Sequence, residues 1–275
     1  MVFCYKNGQS VDSVSIFDRA FQYGDGGFST ARIYQNTIEL EHRHRQRLHE
    51  MSEKLCLKIN FRDLDDTLAQ LEQKFDDLNG TLKMMVSRGE GQRGYSFPSQ
   101  PADLYVFYYP QPCQEHIYTC IESGILQQKM GLNMPRLVGL KTLNRLEQVM
   151  LKQEADQHHW LEAVVGDVQD HLVEGVSSNC FIFKNDRWIT PELRYNGVHG
   201  VMRAEILARM QQQNIGCEQR SVAMHELQEI QALFFCNALN AMKIVTRLDQ
   251  RPLYSQPCVD LFHTLQLALF YFMST

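Results

Sequence analysis

A short polar stretch that contains two prolines is the feature that most limits how this chain can be organised. Pro110 is followed by Gln-Pro-Cys-Gln-Glu-His at residues 111–116. Two prolines so close together favour an extended connector, because each restricts its own backbone and that of the preceding residue. The chain has 275 residues, which is enough for about two domains. We therefore predict an N-terminal domain over residues 1–110, a linker over 111–116 and a second domain over 117–275.

Both predicted domains mix strand-like and helix-like patterns, which indicates an α+β fold. In the first domain, Asn7-Gly8 and Gln35-Asn36 are turn signals between short β-like runs. The segments predicted there are strands 3–5, 11–16, 29–34, 37–40, 81–87 and 103–109 and helices 44–59 and 64–75. Those predicted in the second are strands 117–121, 163–166, 181–183, 188–190, 218–222 and 232–235 and helices 140–156, 201–213, 227–229 and 255–272. The predicted apolar side of helix 140–156 consists of Leu143, Leu146, Val149 and Met150.

Composition excludes several classes of protein. Hydrophobic residues make up 44% of the chain and charged residues 21%, which is typical of an ordinary globular protein. A net charge of -5 argues against a nucleic-acid partner. The most apolar stretch, residues 265–273, has about half the length of a membrane span, and the N-terminus has no apolar core like that of a secretory signal. The eight cysteines are dispersed and form no Cys-x-x-Cys pair, so we expect a protein of the reducing cytoplasm. We also expect it not to associate with a membrane.

The histidines near residue 45 do not have the spacing of a metal site. No two of His42, His44 and His49 are three or four residues apart, so they do not share a helix face. The three arginines between them would also repel a cation. We therefore predict a solvated, basic helix start and no metal ion.

Three other segments contain residue types that are typical of binding or catalysis. Lys141 lies where the predicted helix 140–156 begins, although a solvated lysine would also suit that position. Residues 174–179 read Glu-Gly-Val-Ser-Ser-Asn between apolar runs, and a polar hairpin turn is the simpler explanation. Gly200 precedes a predicted helix whose first N–H groups could bind an anion, or it begins an ordinary helix.

Taken together, these segments resemble the fold type IV enzymes that depend on pyridoxal phosphate. The resemblance rests on Lys141, on Glu174-Gly175-x-x-Ser178-Asn179 and on Gly200-Val201-Met202-Arg203, in this order and spacing. It extends from Asp18-Arg19-Ala20 to Cys236-Asn237-Ala238-Leu239. The resemblance implies a smaller N-terminal α/β sandwich and a larger C-terminal, mixed, β-barrel-like domain with helices. It also implies a homodimer.

The resemblance further implies roles for individual residues. Lys141 would form the Schiff base with pyridoxal phosphate, Glu174 would pair with the pyridine nitrogen, and Arg47 would bind the phosphate. The other residues expected to contact the cofactor are Ser178, Asn179, Val201, Met202, Asn237 and Ala238. Those expected to contact the small-molecule substrate are Phe28, Arg93, Tyr95 and Arg145.

Within that family, the glycine-rich segment 24–32 and the lysine segment 141–149 look most like the aminodeoxychorismate lyases. The run Asn240-Ala241-Met242 departs from that branch. The resemblance implies conversion of 4-amino-4-deoxychorismate to p-aminobenzoate and pyruvate in folate biosynthesis, by proton abstraction and elimination. A D-amino-acid or branched-chain aminotransferase is the alternative within the family. A binding protein that has lost the chemistry is the alternative outside it, and the presence of both Lys141 and Glu174 argues against it.

Overall fold

The computed structural model describes residues 2–112 and 117–268, which group into two units. The first unit contains residues 2–112 together with Leu140–Asn144, and the second contains 117–139 and 145–268. Residues 113–116 of the predicted linker and the end of the predicted helix 255–272 lie outside the described residues. The short segment Leu140–Asn144 therefore belongs to a different unit from the residues on either side of it.

The first unit is an antiparallel sheet covered on one face by helices. Its six strands follow the order β2-β1-β6-β5-β3-β4 within residues 2–112. The strands are β1 (Phe3–Lys6), β2 (Gln9–Ser10), β3 (Gly26–Tyr34), β4 (Thr37–Ile38), β5 (Gly80–Ser87) and β6 (Asp103–Pro110). The helices are α1 (Arg19–Tyr23), α2 (Glu41–Leu55) and α3 (Arg62–Lys74). This arrangement confirms the predicted α/β sandwich.

Alternation along the strands determines which face of this sheet is buried. Ala31, Leu82 and Tyr108 lie side by side on β3, β5 and β6 and are at most 1% exposed. Leu48 of α2 and Leu71 of α3 are equally buried. Residues at the alternate strand positions face the other way, as expected for a strand period of two. The predicted turn at Asn7-Gly8 is confirmed, and both turn residues have the positive φ that this turn requires. The predicted second strand was wrong, because the strand after the turn is Gln9–Ser10 and residues 11–16 form no strand.

The second unit is a mixed sheet with helices, as predicted, but the sheet is open. Among the residues described, its strand order is β12-β11-β10-β13-β14-β15, with β7 paired to β14, and no pair closes it into a barrel. The strands of this sheet are β7 (Thr119–Ser123), β10 (Asn179–Lys184), β11 (Arg187–Pro191), β12 (Cys217–Arg220), β13 (Ala232–Asn237), β14 (Asn240–Leu248) and β15 (Arg251–Pro252), while β8 (Val164–Gly166) and β9 (Leu172–Gly175) form a separate two-stranded sheet. Its helices are α4 (Leu146–Gln157), α5 (Val201–Gln212) and α6 (Gln256–Thr264), with 3-10 turns at Pro135–Leu137 and Met224–Gln228.

The predicted helix 140–156 was wrong at its start. Helix α4 begins at Leu146, and residues 140–144 are irregular apart from an isolated β-bridge between Thr142 and Gly27. The predicted apolar side was wrong as well, because Leu146, Val149 and Met150 are exposed while Leu151 and Ala155 are buried. Apolar residues three or four positions apart usually mark the buried side of a helix, but in α4 the buried residues lie at other positions. None of the helices described is both long enough and apolar enough to cross a membrane.

Candidate active site

Lys141 lies on a segment that pairs with the start of β3. The backbone N–H of Phe28 donates to the Lys141 carbonyl at 2.9 Å, and that of Leu143 donates to the Gly26 carbonyl at 3.1 Å. Gly27 makes this pairing possible, since a Cβ there would lie 2.8 Å from the Lys141 carbonyl oxygen and 2.5 Å from the Met51 sulfur. The Lys141 Nζ lies 4.8 Å from the centroid of the Phe28 ring. Two residues predicted for the site are thus brought together across a long stretch of sequence.

Arg47 is fixed on α2 by a short chain of hydrogen bonds. Its Nη1 donates to the Ser29 Oγ at 3.4 Å, and this hydroxyl lies 2.7 Å from the His44 Nδ1. Burial lowers the pKa of Arg47 to about 10, so its guanidinium remains charged at neutral pH. Burial and the neighbouring Arg47 cation lower the pKa of His44 to about 3. His44 is therefore neutral and buried, and the prediction of a solvated helix start was wrong for it.

Arg93 and Tyr95 lie on an exposed loop of the first unit. Arg19 donates to the Gly94 carbonyl at 2.8 Å, and the Gly94 N–H donates to the Tyr23 hydroxyl at 3.1 Å. The Tyr95 ring packs edge-on against Tyr23 at 5.6 Å, yet 83% of its surface remains exposed. Helix α1 therefore anchors the loop backbone while the two side chains predicted to bind substrate remain accessible.

In the second unit, Glu174 is a buried and oriented carboxylate. Its Oε2 accepts hydrogen bonds from the backbone N–H of Val198 at 2.9 Å and from the Asn179 Nδ2 at 3.2 Å. The same Asn179 nitrogen donates to the Val198 carbonyl at 2.9 Å. Burial lowers the pKa of Arg145, while the charges of Glu174 and Glu147 oppose that change. Glu174 is therefore hydrogen-bonded to Asn179 and lies close enough to Arg145 for their charges to interact.

The start of α5 has the features of an anion-binding helix terminus. Gly200 is its N-cap, and no side chain caps the first turn, which contains Val201 and Met202. A Cβ at Gly200 would lie 1.9 Å from the Asn179 Oδ1, so glycine is required there. Arg203 fixes this turn, since its guanidinium donates to the Thr190 Oγ1 at 3.1 Å and to the Pro191 carbonyl at 2.7 Å.

Sequence reasoning missed a buried acid beneath the turn at Ser177 and Ser178. The carboxylate of Glu162, which has no exposed surface, accepts from the Ser177 N–H and Oγ at 2.8 Å each and from the Ser178 Oγ at 2.6 Å. Lys243 lies 3.7 Å from it. The Ser178 Oγ in turn accepts from the Asn237 Nδ2 at 3.2 Å. A lone acid inside the apolar run 161–165 was the signal that could have identified it.

The side chain of Asn237 also holds the turn at Asn237 and Ala238. The Asn237 Oδ1 accepts from the N–H groups of Leu239 and Asn240 at 3.0 Å each. Because Ser178 donates to Glu162 and accepts from Asn237, the amide of Asn237 has its nitrogen toward Ser178 and its oxygen toward Leu239. The two predicted cofactor turns, at 177–179 and 237–240, are thus joined into one network.

Comparisons with known proteins agree on one family. The model of the amino-transferase class IV family matches residues 26–248. Aminodeoxychorismate lyase of Vibrio harveyi is 32% identical over 238 residues, covering 85% of this chain and 86% of that protein. D-alanine aminotransferase of Bacillus licheniformis is 25% identical, covering 94% and 90%. The crystal structure of 4-amino-4-deoxychorismate lyase from Pseudomonas aeruginosa is similar with a TM-score of 0.86 and 30% identity, covering 98% of this chain and 100% of that one.

Proposed function

Because the chain belongs to the amino-transferase class IV family, as its motifs predicted, we propose that it is a pyridoxal-phosphate-dependent aminodeoxychorismate lyase. The observation that carries the proposal is the similarity to lyases over nearly the whole chain, at 32% identity in sequence and 30% in the compared structure. The D-alanine aminotransferase is 25% identical. The proposed reaction converts 4-amino-4-deoxychorismate to p-aminobenzoate and pyruvate.

The residues present fit pyridoxal phosphate. The first turn of α5 has no side-chain cap, so its N–H groups at Val201 and Met202 can bind the phosphate, and the Arg47 guanidinium would bind it as well. Glu174 is buried and already oriented by two donors, as a partner for a protonated pyridine nitrogen must be. When bound, the cofactor supplies a conjugated ring that withdraws electrons from the carbon next to the substrate amine. Ser178, Asn179, Asn237 and Ala238 would line the phosphate and ring.

Lys141 performs two tasks in this proposal. Its amine would hold the cofactor and, once free, would take the proton from the ring carbon that carries the substrate amine. The neighbouring carbon–oxygen bond would then break with its electron pair on oxygen, and the ring would become aromatic. The released enolpyruvate would take up a proton on its methylene carbon and so become pyruvate. The Phe28 ring beside Nζ excludes water from one side of this amine. Arg93, Tyr95 and Arg145 would bind the substrate.

An assay without an added keto acid tests the proposal. Purified protein loaded with pyridoxal phosphate is given 4-amino-4-deoxychorismate alone, and p-aminobenzoate and pyruvate are both measured. We expect equal amounts of the two products, and none from Lys141→Ala. Transamination of D- or branched-chain amino acids that requires a keto acid, with no p-aminobenzoate formed, would contradict the lyase and favour the aminotransferase alternative.

We further propose that the protein is a homodimer and acts in folate biosynthesis in the cytoplasm. The resemblance supports both statements. Exposed apolar side chains on α4, namely Leu146, Val149 and Met150, also support association, since contiguous exposed apolar surface is uncommon in monomers. Light scattering of the purified protein tests the dimer, and a mass of about 32 kDa in solution would contradict it.

A further inference from the structure

The carboxylate of Asp25, between α1 and β3, is bound by two arginines. Its Oδ2 accepts from the Arg19 Nε and from the Arg88 Nε, at 2.8 Å each. All three side chains are at most 15% exposed, so water screens their charges only weakly. Hydrogen bonds between charged groups are stronger than those between neutral ones. These three side chains, the Asp25 triad, are therefore held in one arrangement.

Arg88 attaches the Asp25 triad to the end of α2. Its Nη2 donates to the Leu55 carbonyl at 2.7 Å, and its Nη1 donates to the Cys56 carbonyl at 3.2 Å. The last carbonyls of a helix have no partner within the helix, so Arg88 satisfies groups that α2 leaves open. Because Arg88 is held by two carbonyls as well as by Asp25, the position of the Asp25 carboxylate is fixed.

Arg19 connects the Asp25 triad to the loop at residues 89–98, which carries the two side chains expected to bind substrate. While the Arg19 Nε is bound to Asp25, its Nη1 donates to the Gly94 carbonyl at 2.8 Å. The Gly94 N–H donates to the Tyr23 hydroxyl at 3.1 Å, so the peptide groups on both sides of this glycine are held. The two side chains expected to bind substrate belong to the residues immediately before and after Gly94.

The planar shape of the guanidinium links the two contacts of Arg19. When Asp25 binds the Nε, the direction of the Nη1 toward Gly94 is set, because all the nitrogens lie in one plane. Loss of the carboxylate would leave the Arg19 side chain free to rotate about its single bonds. The Gly94 carbonyl would then lose its donor, and the loop would open more often.

We propose that Asp25 and Arg19 are positioning residues for substrate binding, because together they fix the backbone between Arg93 and Tyr95. The inference rests on the proposed function, and neither Asp25 nor Arg19 touches the substrate. When the loop is released, affinity for substrate falls in proportion to the fraction of protein whose loop is in place. The reacting groups are unchanged, so KM changes more than kcat.

Trypsin digestion of the holoenzyme and steady-state kinetics test the proposal together. Asp25→Asn keeps the size of the side chain and removes its charge. The peptide bond after Arg93 is the one whose N–H is held by Tyr23, so its cleavage by trypsin requires the loop to open. We expect the fragment 1–93, measured by mass spectrometry, to form about tenfold faster in the variant. The KM for 4-amino-4-deoxychorismate should rise about tenfold, with kcat changed by less than about threefold.

Glu39→Gln is the matched control, because Glu39 is also a buried carboxylate of this unit and lies 3.7 Å from the Nε of Arg32, far along β3 from Asp25. It should leave the cleavage rate and KM unchanged. Arg19→Lys keeps a positive charge beside Asp25 but lacks the planar fork, so it should act like Asp25→Asn. It takes the place of Asp25→Asn if circular dichroism shows that this variant does not fold.

The two measurements separate the possible failures. Wild-type cleavage and wild-type KM in a folded variant would overturn the proposal. Faster cleavage with a wild-type KM would overturn the role of the loop in substrate binding. Absence of p-aminobenzoate formation by the wild type would overturn the proposed function, whereas the cleavage rates would still show whether Asp25 fixes the loop.

Discussion

The buried His44 makes the stability of the first unit depend on pH. Its pKa falls from 6.5 to about 3 on folding, mainly because burial disfavours the charged ring. The unfolded chain therefore binds a proton below pH 6.5 that the folded chain does not. This contribution to stability is complete above pH 6.5 and is lost as the pH falls from there toward 3. Between about pH 7.5 and about pH 5 the loss amounts to roughly 2 kcal/mol, at 1.36 kcal/mol for each pH unit below 6.5.

Substitution of His44 by glutamine removes this titration. We expect the difference in unfolding free energy between wild type and His44→Gln to shrink by about 2 kcal/mol between about pH 7.5 and about pH 5. Urea unfolding followed by far-ultraviolet circular dichroism is the suitable assay, since both tryptophans, Trp160 and Trp188, lie in the second unit. His49→Gln is the control, because the His49 side chain on the same helix is 64% exposed. Parallel pH curves for His44→Gln and wild type would refute the reasoning.

Two further substitutions test the buried hydrogen bonds near the turns at 177–179 and 237–240 and at the start of α5. Glu162→Gln removes a charged acceptor from two serines, and we expect it to weaken pyridoxal phosphate binding by about tenfold in a titration. Glu154→Gln is the control at another buried carboxylate, and it should leave that affinity unchanged. Arg203→Met leaves buried acceptors without a donor and should lower the unfolding free energy by about 2–4 kcal/mol in the same urea titration. Arg187 is exposed, so Arg187→Met should change that free energy by less than about 0.5 kcal/mol. Equal effects of Glu162→Gln and Glu154→Gln would contradict the role of the hydrogen bonds to Ser177 and Ser178 in cofactor binding. Equal effects of Arg203→Met and Arg187→Met would contradict the burial argument.

Much of the fold was predictable because local signals and tertiary structure agree. The turn at Asn7-Gly8 was predicted, and helices α3 and α5 were predicted within two residues of their observed bounds, since turn residues and apolar periodicity directly encode them. Helix α2 was predicted as well, but three to four residues too far along the chain. The family, and with it the identity of Lys141 as the expected catalytic residue, followed from the order of several motifs.

Other features depend on contacts that a sequence does not display. The segment that contains Lys141 was predicted as helix because its leucine spacing is helical. It is not helical, because its backbone forms hydrogen bonds with Gly26 and Phe28 of β3 instead. His44 and Glu162 were taken as solvated or passed over, because a polar residue is identified as buried only when its partners are known. Strand β14 was not predicted at all, since its buried positions do not alternate regularly.

The membership of Leu140–Asn144 in the first unit affects how genes of this kind can be recombined. A crossover at residues 113–116 would join the lysine segment of one parent to the β3 strand of another. The Gly27 backbone and the Lys141 carbonyl would then come from different sources, although a Cβ at position 27 would lie only 2.8 Å from that oxygen. Chimaeras that exchange residues 140–144 together with the N-terminal part should keep Lys141 paired with β3, while those cut only at residues 113–116 combine a lysine segment and a β3 strand from different parents.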